Sequence, residues 1–291
     1  MITGDIASPY EIERKLRARH LLLGVHNVVL FAISGIDMAV WDAYSQSVDL
    51  PLAKALGGDL KKIPAYNSNG LGLMPVEQLP REAEQLLEEG FSAIKLRLGR
   101  DSVQSDMHAV RAVKEAVDKS TTLMCDFNQG LSVSEALLRC RMLDDEGGFL
   151  WIEEPVRAEN YNGIAKIAEA TATPISIGEN FMGIEQMQDA LNYQCCDFVM
   201  PDAQRISGVT GWVKAAALAD AVGIEMSSHL FPEYSAHLLA TTPTSHWLEY
   251  VDWAAPILKE PLNVDNGFVQ APDRPGSGLV WDEKVVADYL V

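Results

Sequence analysis

The stretch FLWIEEPVRAENYNGIAKIAEATATPISIGEN, residues 149–180, contains two short apolar runs joined by an amphipathic segment. The first run ends in Glu153, and the second is followed directly by Glu179. Between them, residues 160–170 carry apolar side chains at helical spacing, so the stretch predicts a strand, a helix and a second strand. Strands that alternate with helices in this way are typical of a parallel sheet whose carboxyl ends lie on one side.

The same arrangement recurs on both sides of this stretch. Five apolar runs end in, or are followed by, a residue suited to acid–base or metal chemistry. These residues are 27, 26, 23 and 27 positions apart: Asp126, Glu153, Glu179, Asp202 and His229. In a β/α barrel the carboxyl ends of all strands surround one mouth, so we expect the five side chains to converge.

From Ile63 onward, the alternation predicts eight strands and seven helices, which is a (β/α)7β barrel, a modified TIM barrel. We expect the strands at 63–67, 92–97, 121–126, 149–153, 174–178, 197–201, 224–228 and 246–249. We expect the helices at 77–89, 103–118, 133–144, 160–170, 184–192, 209–221 and 233–240. The predicted catalytic barrel therefore occupies residues 61–255.

Two flanking parts lie outside this alternation. Residues 9–24 predict a helix that ends in Gly24, and residues 28–57 predict a long and a short helix with a break near Leu50-Pro51. Residues 256–291 contain turn signals, including Asp265-Asn266-Gly267, but no barrel period. We therefore expect both parts to pack outside the ring of strands.

Composition is that of a soluble globular protein, with 48% hydrophobic and 22% charged residues among 291. No apolar run approaches the ~20 residues that span a bilayer, and no signal peptide is recognisable. The four cysteines are interpreted as free thiols in a reducing, cytoplasmic environment. The net charge of −18, without a Lys/Arg cluster, argues against nucleic-acid and membrane partners and leaves a small molecule as the expected partner.

Three carboxylates among these strand ends predict a metal site. Mg2+ prefers carboxylate oxygens, and Asp126, Glu153 and Glu179 on consecutive strands would supply three ligands. Taken singly, each residue is more simply interpreted as a surface or capping carboxylate. Three carboxylates that point into one mouth repel each other unless a cation or protons lie between them, so together they favour a metal site.

Asp202 and His229 follow on the next two strands and are interpreted as a catalytic pair. A carboxylate that accepts a hydrogen bond from one ring nitrogen fixes the tautomer and raises the basicity of the other nitrogen. The alternatives are a buried structural histidine for His229 and an N-cap for Asp202, because Ala203-Gln204 leads toward a helix. Their positions on adjacent strands favour the general base.

Further polar residues are expected at the same mouth. Lys95 and Arg97 in AIKLRLGR share one face of a strand, because side chains alternate with a period of two. Cations inside a barrel are costly unless they meet anions, so we expect them to meet a substrate carboxylate and the metal ligands. Asn128, two positions beyond Asp126, is a candidate substrate-binding residue. Glu249 ends the last strand and, if burial protonates it, would donate to a developing oxyanion.

These residues stand in segments that resemble the mandelate racemase subgroup of the enolase superfamily, the mandelate racemase/muconate lactonizing enzyme family. The resemblance covers nearly the whole chain. The segments that carry it are AISGIDMAVWDA, AIKLRLG, DFNQGL, WIEEP, IGENF, MPDAQRISGVTGW, SSHLF, SAHLLA and TPTSHWLE.

The resemblance implies Mg2+-assisted removal of the proton α to a carboxylate, through an enediolate. It favours a racemase of an α-hydroxy acid, and it implies a homo-oligomer, commonly an octamer. Lys95 would help to hold the substrate carboxylate, and Glu249 would stabilise the enediolate. The remaining roles that it implies are metal ligation by Asp126, Glu153 and Glu179 and acid–base catalysis by His229 with Asp202.

Two features depart from the family pattern. Arg97 stands where the family has the second lysine of Lys-x-Lys, which is the base on the opposite face of the substrate. A guanidinium stays protonated, with a pKa above ~12. The alternatives to racemisation are therefore an acid-sugar dehydratase of the same superfamily and a catalytically impaired barrel that only binds metal and carboxylate.

The second departure concerns the parts outside the barrel. The strands that open the family's α+β capping domain, and the loop that covers the mouth, have no counterpart in the sequence. Residues 1–60 are therefore interpreted as the remnant of an N-terminally truncated capping domain. Residues 256–291 are interpreted as the C-terminal segment that packs on it.

Overall fold

Eight parallel strands form a ring in the computed structural model, which describes residues 8–289. All eight coincide with predicted runs, although the sixth and seventh are only two residues long. The strands are β1 (Ile63–Asn67), β2 (Ala93–Arg97), β3 (Thr122–Asp126), β4 (Phe149–Glu153), β5 (Ile175–Ile177), β6 (Phe198–Val199), β7 (Glu225–Met226) and β8 (Leu248–Tyr250).

Pairing between the strands closes the ring. From β1 to β7, each strand pairs in parallel with the next one along the chain. β8 pairs in parallel with β1, with Glu249 opposite Tyr66. β7 meets the segment that leads into β8 through a parallel bridge between Met226 and Ser245. The predicted barrel is confirmed, and its closure brings the first and last strands of the series side by side.

Ten helices precede or alternate with these strands in the described part of the chain. Three precede the ring: α1 (Pro9–His20), α2 (Asn27–Ser47) and α3 (Leu52–Ala55). Seven follow strands: α4 (Leu79–Glu88), α5 (Val103–Ala116), α6 (Val133–Glu146), α7 (Tyr161–Ala170), α8 (Ile184–Asn192), α9 (Gly208–Val222) and α10 (Pro232–Thr241). The start of α6 is encoded locally, because Ser132 forms a capping box with Glu135.

Two apolar layers hold the ring together. The larger lies between the strands and the helices around them, and it includes Leu96, Val110 and Ile152. The smaller fills the interior of the ring and contains the fully buried residues Tyr66, Ala93, Met124 and Trp151. Because side chains alternate along each strand, this apolar interior leaves the polar strand ends at the mouth. All four cysteines are free thiols, as predicted.

The helix α2 joins the N-terminal part to the barrel. Asp37 accepts hydrogen bonds from the backbone N–H and the hydroxyl of Thr210 in α9, at 2.9 and 2.6 Å. Trp41 Nε1 donates to Thr210 Oγ1 at 2.9 Å. By length and composition alone α2 could cross a membrane, a test that core helices of soluble proteins also pass. The absence of a membrane partner stays a prediction.

The C-terminal segment contacts both the ring and the N-terminal helices. It contains β9 (Val264–Asp265), β10 (Phe268–Val269) and α11 (Glu283–Asp288). Asn266 and Gly267, with φ of 50° and 80°, form the predicted turn between β9 and β10. β10 pairs antiparallel with β1, and Gly276 bridges to Pro51. The division into residues 1–60, 61–255 and 256–291 stays a prediction, and its two outermost ends, 1–7 and 290–291, lie outside the described residues.

Candidate active site

The three predicted metal ligands meet at the mouth of the barrel. Asp126 lies opposite Glu153 in the β3–β4 register, and Glu179 follows β5 by two positions. One carboxylate oxygen from each residue lies within 4.8 Å of the other two. Asp126 and Glu153 are buried, and Glu179 is partly exposed. Hard oxygen donors that converge in this way fit Mg2+, which prefers carboxylates and keeps further positions for water or substrate.

Lys95 is the fully buried cation of this cluster. Its Nζ lies 2.8 Å from Glu249 Oε1, 3.0 Å from Glu153 Oε1 and 3.3 Å from Asp126 Oδ2. Burial alone lowers the pKa of Lys95, but Glu153 and Glu249 outweigh it and hold the pKa well above its usual range. Burial and Asp126 raise the pKa of Glu153. One lysine thus offsets part of a larger negative charge, and the remainder favours a cation.

His229 and Asp202 form the predicted pair, with Nδ1 2.8 Å from Oδ2. The other ring nitrogen, Nε2, lies 3.3 Å from Glu179 Oε2 and 3.8 Å from Glu249 Oε2. Burial lowers the pKa of His229, but Glu249, Asp202 and Glu179 raise it to about 9. Asp202 also accepts from the backbone N–H of Gln204 at 2.7 Å in the turn that follows it. The N-cap of the next helix, α9, is Ser207, so Asp202 does not cap that helix.

Glu249 lies between Lys95 and His229, at 2.8 and 3.8 Å. Burial raises the pKa of Glu249, but the positive charges of Lys95 and His229 lower it by a larger amount. The net pKa therefore lies below the usual range of a glutamate. The backbone N–H of Leu230 also donates to Glu249 Oε2 at 3.0 Å. These contacts favour the carboxylate form of Glu249. Its donation to a developing oxyanion stays a prediction.

Arg97 and Asn128 lie beside Asp126. Arg97 Nη2 donates to Ser68 Oγ at 3.2 Å, and Arg97 Nε lies 3.9 Å from Asp126 Oδ2. The buried Nη1 of Arg97 has no hydrogen-bond partner among residues 8–289. Burial lowers the pKa of Arg97, but Asp126 and Glu249 raise it above its usual value. Asn128 donates to both oxygens of Asp126, at 2.7 Å from its backbone and 3.0 Å from its side chain.

Three residues at this site escaped the sequence-based prediction. Glu154 is buried, and burial together with Glu179 raises its pKa to about 8. Asn180 Nδ2 donates to both oxygens of Glu154 at 2.9 Å. Arg205 Nη1 donates to the backbone carbonyl of Glu179 at 3.0 Å. The sequence signal that could have identified them is their position beside predicted site residues: Glu154 in WIEEP, Asn180 in IGEN and Arg205 in DAQR.

Comparison with known proteins identifies the family. Residues 78–285 match the family described as enolase C-terminal domain-like. The chain belongs to this family. This enolase-family chain is 33% identical over 263 residues to L-talarate/galactarate dehydratase from Salmonella typhimurium, and the match covers 90% of the chain and 66% of that enzyme. It is 26% identical over 276 residues to L-Ala-D/L-Glu epimerase from Bacillus subtilis, covering 90% of the chain and 73% of that enzyme.

Solved structures of related proteins have the same fold. An enolase from alpha proteobacterium bal199 with bound magnesium is 47% identical, with a TM-score of 0.95, covering 98% of this enolase-family chain and 79% of that one. An enolase from Bradyrhizobium, complexed with magnesium and mandelic acid, is 40% identical, with a TM-score of 0.93. That match covers 98% of this chain and 78% of the Bradyrhizobium chain. L-Talarate dehydratase from Polaromonas, complexed with Mg and L-glucarate, is 31% identical, with a TM-score of 0.92. That match covers 98% of this chain and 80% of the Polaromonas chain.

These findings confirm the predicted superfamily and the modified TIM barrel. Named relatives include dehydratases, an epimerase and a cycloisomerase, so both predicted reaction classes are represented among enzymes similar to this enolase-family chain. The chain spans about two thirds of the length of the Salmonella enzyme, 66%. The predicted Mg2+ agrees with the magnesium in the three related structures and with the carboxylate cluster found here.

Proposed function

We propose that this enolase-family protein removes the proton α to the carboxylate of a hydroxy acid, with Mg2+ held by Asp126, Glu153 and Glu179. The observation that carries the proposal is the convergence of these three carboxylates beside the His229–Asp202 pair. Bound Mg2+ would supply Lewis-acid polarisation of the substrate carboxylate, which makes the α proton more acidic. The side chains of the protein would bind the substrate and transfer the proton.

His229 is the proposed base. Asp202 accepts from Nδ1 at 2.8 Å and holds the tautomer in which Nε2 is free to take a proton. Nε2 lies 3.3 Å from Glu179 Oε2, so the base is directed toward the same region as the proposed metal ligands. A substrate carboxylate bound beside Glu179 would therefore present its α carbon to His229.

Lys95, Arg97 and Asn128 are the proposed residues that hold the substrate. Lys95 stays charged, and the buried Nη1 of Arg97, which has no hydrogen-bond partner among residues 8–289, is a donor that a substrate carboxylate would satisfy. Asn128 orders Asp126 through two hydrogen bonds. Glu249 orders Lys95 and the backbone of Leu230, and it would need to take up a proton before it could donate to an oxyanion.

The fate of the carbanion depends on Arg97. Racemisation needs a base on each face of the α carbon, and the raised pKa of Arg97 keeps its guanidinium from serving as one. Elimination of a β-hydroxyl needs His229 alone: it takes the α proton and returns a proton to the departing hydroxyl, which leaves as water. The enol product becomes a 2-keto acid. We therefore propose an acid-sugar dehydratase, in line with the talarate dehydratases among its relatives.

Racemisation of an α-hydroxy acid is the second candidate. It is favoured by the sequence resemblance and by the related Bradyrhizobium enolase, which was solved with mandelic acid. A barrel that binds metal and carboxylate without turnover is the remaining alternative. The proposed partner in all three cases is a small carboxylate, and its proposed location is the cytoplasm.

Incubation with Mg2+ in D2O separates these functions. A library of α-hydroxy acids and sugar acids would be analysed by NMR. Dehydration predicts a 2-keto product, and racemisation predicts deuterium at the α carbon of both enantiomers without loss of material. No exchange with any acid supports the impaired barrel. The His229→Asn variant should lack whichever reaction the unaltered protein catalyses. If the variant still exchanges the α proton on the face of the substrate that His229 serves, His229 is excluded as the base.

The metal ligands are tested separately, without a substrate. Asp126→Asn should lower the affinity for Mg2+ measured by calorimetry, because it removes one charged oxygen ligand. Asp118→Asn, a fully exposed carboxylate, is the matched control and should bind Mg2+ like the unaltered protein. Equal affinity in the Asp126 variant would show that the ligand assignment is wrong.

A further inference from the structure

Arg205 contacts both halves of the candidate site. It lies in the loop between β6 and α9, and its backbone N–H donates to Asp202 Oδ1 at 3.1 Å. Its side-chain Nη1 donates to the backbone carbonyl of Glu179 at 3.0 Å and to Asn180 Oδ1. We propose that Arg205 is a positioning residue that holds the Glu179 ligand against the Asp202–His229 pair.

Asn180 transmits the effect of Arg205 to the carboxylates. Arg205 donates to the amide oxygen of Asn180, so the amide nitrogen must face the other way. That nitrogen donates to Glu179 Oε1 at 3.1 Å and to both oxygens of Glu154 at 2.9 Å. The guanidinium thus sets the orientation of one amide, and the amide restrains the Glu179 carboxylate on the side away from His229.

The backbone around Arg205 supports the same contact. Gly183 N–H donates to the carbonyl of Arg205 at 3.0 Å, so the loops after β5 and β6 are joined through backbone and side chain alike. The loop that carries Glu179 therefore cannot shift without breaking contacts to the loop that carries Asp202. This linkage couples the proposed metal ligand to the proposed base through one residue.

Charge and positioning predict opposite effects of removing this side chain. Arg205 Nη1 lies 3.8 Å from Glu179 Oε1, and a cation at that distance disfavours a second cation on the same carboxylate. By charge alone, loss of Arg205 would tighten Mg2+ binding. Loss of a residue that orients a metal ligand typically weakens metal affinity by about 10–100-fold. The sign of the change in affinity therefore distinguishes the two roles.

Calorimetric titration of Mg2+ in the absence of substrate tests the inference, which rests on the proposed metal site. Arg205→Met should bind Mg2+ about 10-fold more weakly than the unaltered protein. Arg157→Met is the matched control: it makes the same substitution at a side chain that is 81% exposed, and its affinity should be unchanged. Arg205→Lys keeps the charge and part of the hydrogen bonding, and it should give an intermediate affinity.

The outcomes separate the inference from the proposed function. Equal or tighter binding by Arg205→Met, with normal binding by the unaltered protein, overturns the positioning role alone. Absence of Mg2+ binding in the unaltered protein overturns both. If Arg205→Met does not fold, the Arg205→Lys variant decides the question, because it keeps the charge and changes only the geometry of the hydrogen bonds. A Mg2+ affinity of Arg205→Lys equal to that of the unaltered protein would contradict the positioning role. Melting temperatures measured in EDTA show whether a variant is merely less stable, since lower stability alone leaves the affinity of the folded protein unchanged.

Discussion

Nδ1 of His229 lies 2.8 Å from Oδ2 of Asp202, and the backbones of the same two residues form a parallel bridge at the mouth. The side-chain contact is therefore a direct result of strand register. Because β6 and β7 are each only two residues long, this bridge extends their pairing into the segments that carry the chemistry. The position of the proposed base depends on the barrel itself, and a flexible loop is not needed to bring the pair together.

Mg2+ should lower the pKa of His229. In the metal-free arrangement the pKa is about 9, largely because Glu249, Asp202 and Glu179 favour the charged ring. A divalent cation on Glu179, whose Oε2 is 3.3 Å from Nε2, would offset this effect. Titration of the imidazole signals by NMR, with and without Mg2+, should show the shift. The signal of the exposed His108 should not respond to Mg2+, and an unchanged His229 midpoint at saturating Mg2+ would contradict the site.

Arg97→Lys should increase racemisation. A lysine is able to lose its proton within a reachable pH range, whereas lowering the pKa of a guanidinium from above ~12 to 7 costs roughly 7 kcal/mol or more. We expect deuterium exchange on the face opposite His229 to rise about 100-fold, the lower range for a general base. Arg111→Lys, at an exposed position, should leave it unchanged. Equal exchange from both enantiomers by the unaltered protein would show that a second base already exists.

Lys95→Met should destabilise the metal-free protein by about 3–5 kcal/mol, because it leaves buried carboxylates without their cation. Urea denaturation in EDTA measures the free energy of unfolding, and saturating Mg2+ should restore part of it, because Mg2+ binds the folded state. Lys62→Met removes an exposed ion pair with Asp265 and should have little effect. Similar losses in the two variants would contradict the proposed charge balance.

His237 should make stability depend on pH below neutrality. Its Nδ1 accepts from Ala53 N–H at 3.3 Å, a contact that needs the neutral ring, and its Nε2 donates to the carbonyl of Ser277 at 3.0 Å, which either form of the ring allows. Burial lowers the pKa to about 4. The unfolded chain therefore takes up the proton first, and stability is full above about pH 6.5 and falls as the pH drops toward 4.

The loss attributable to His237 reaches roughly 3 kcal/mol over that range. His237→Gln should remove this part of the pH dependence, as measured by denaturant unfolding at pH 4.5 and 7. His108→Gln, at an exposed position, is the control and should retain it. If the two variants lose stability in parallel with the unaltered protein, His237 is not responsible.

Self-association should depend on the apolar surface after α1. Leu21, Leu22 and Leu23 form a turn in which the side chains are 71%, 102% and 71% exposed. Exposed apolar patches favour association, and the resemblance to the mandelate racemase subgroup implies a homo-oligomer. Leu22→Glu should lower the molar mass measured by light scattering. Leu138→Glu, on α6, is the control, and a monomeric unaltered protein at high concentration would refute the prediction.

Most of the barrel was predictable because its signal is local and repeated. Each unit has an apolar run, a turn and an amphipathic helix, and starts such as the Ser132 capping box are written in neighbouring residues. β6 and β7 are shorter than predicted, because strand ends depend on pairing partners elsewhere in the chain. The convergence of Asp126, Glu153 and Glu179 followed from the fold class, since strand ends share one mouth.

The sequence by itself determined which residues stand at the strand ends and which of them are able to bind a metal or carry a proton. Only the tertiary structure decided which charged groups and hydrogen-bond partners surround these residues. Burial raises the pKa of Glu249, but closure of the ring places it 2.8 Å from Lys95 on β2, and this cation helps to hold the pKa below its usual range. Arg205 reaches Glu179 because two loops lie side by side. Protonation and orientation depend on neighbours a few ångströms away that are distant in the chain, and a one-dimensional pattern does not contain those distances.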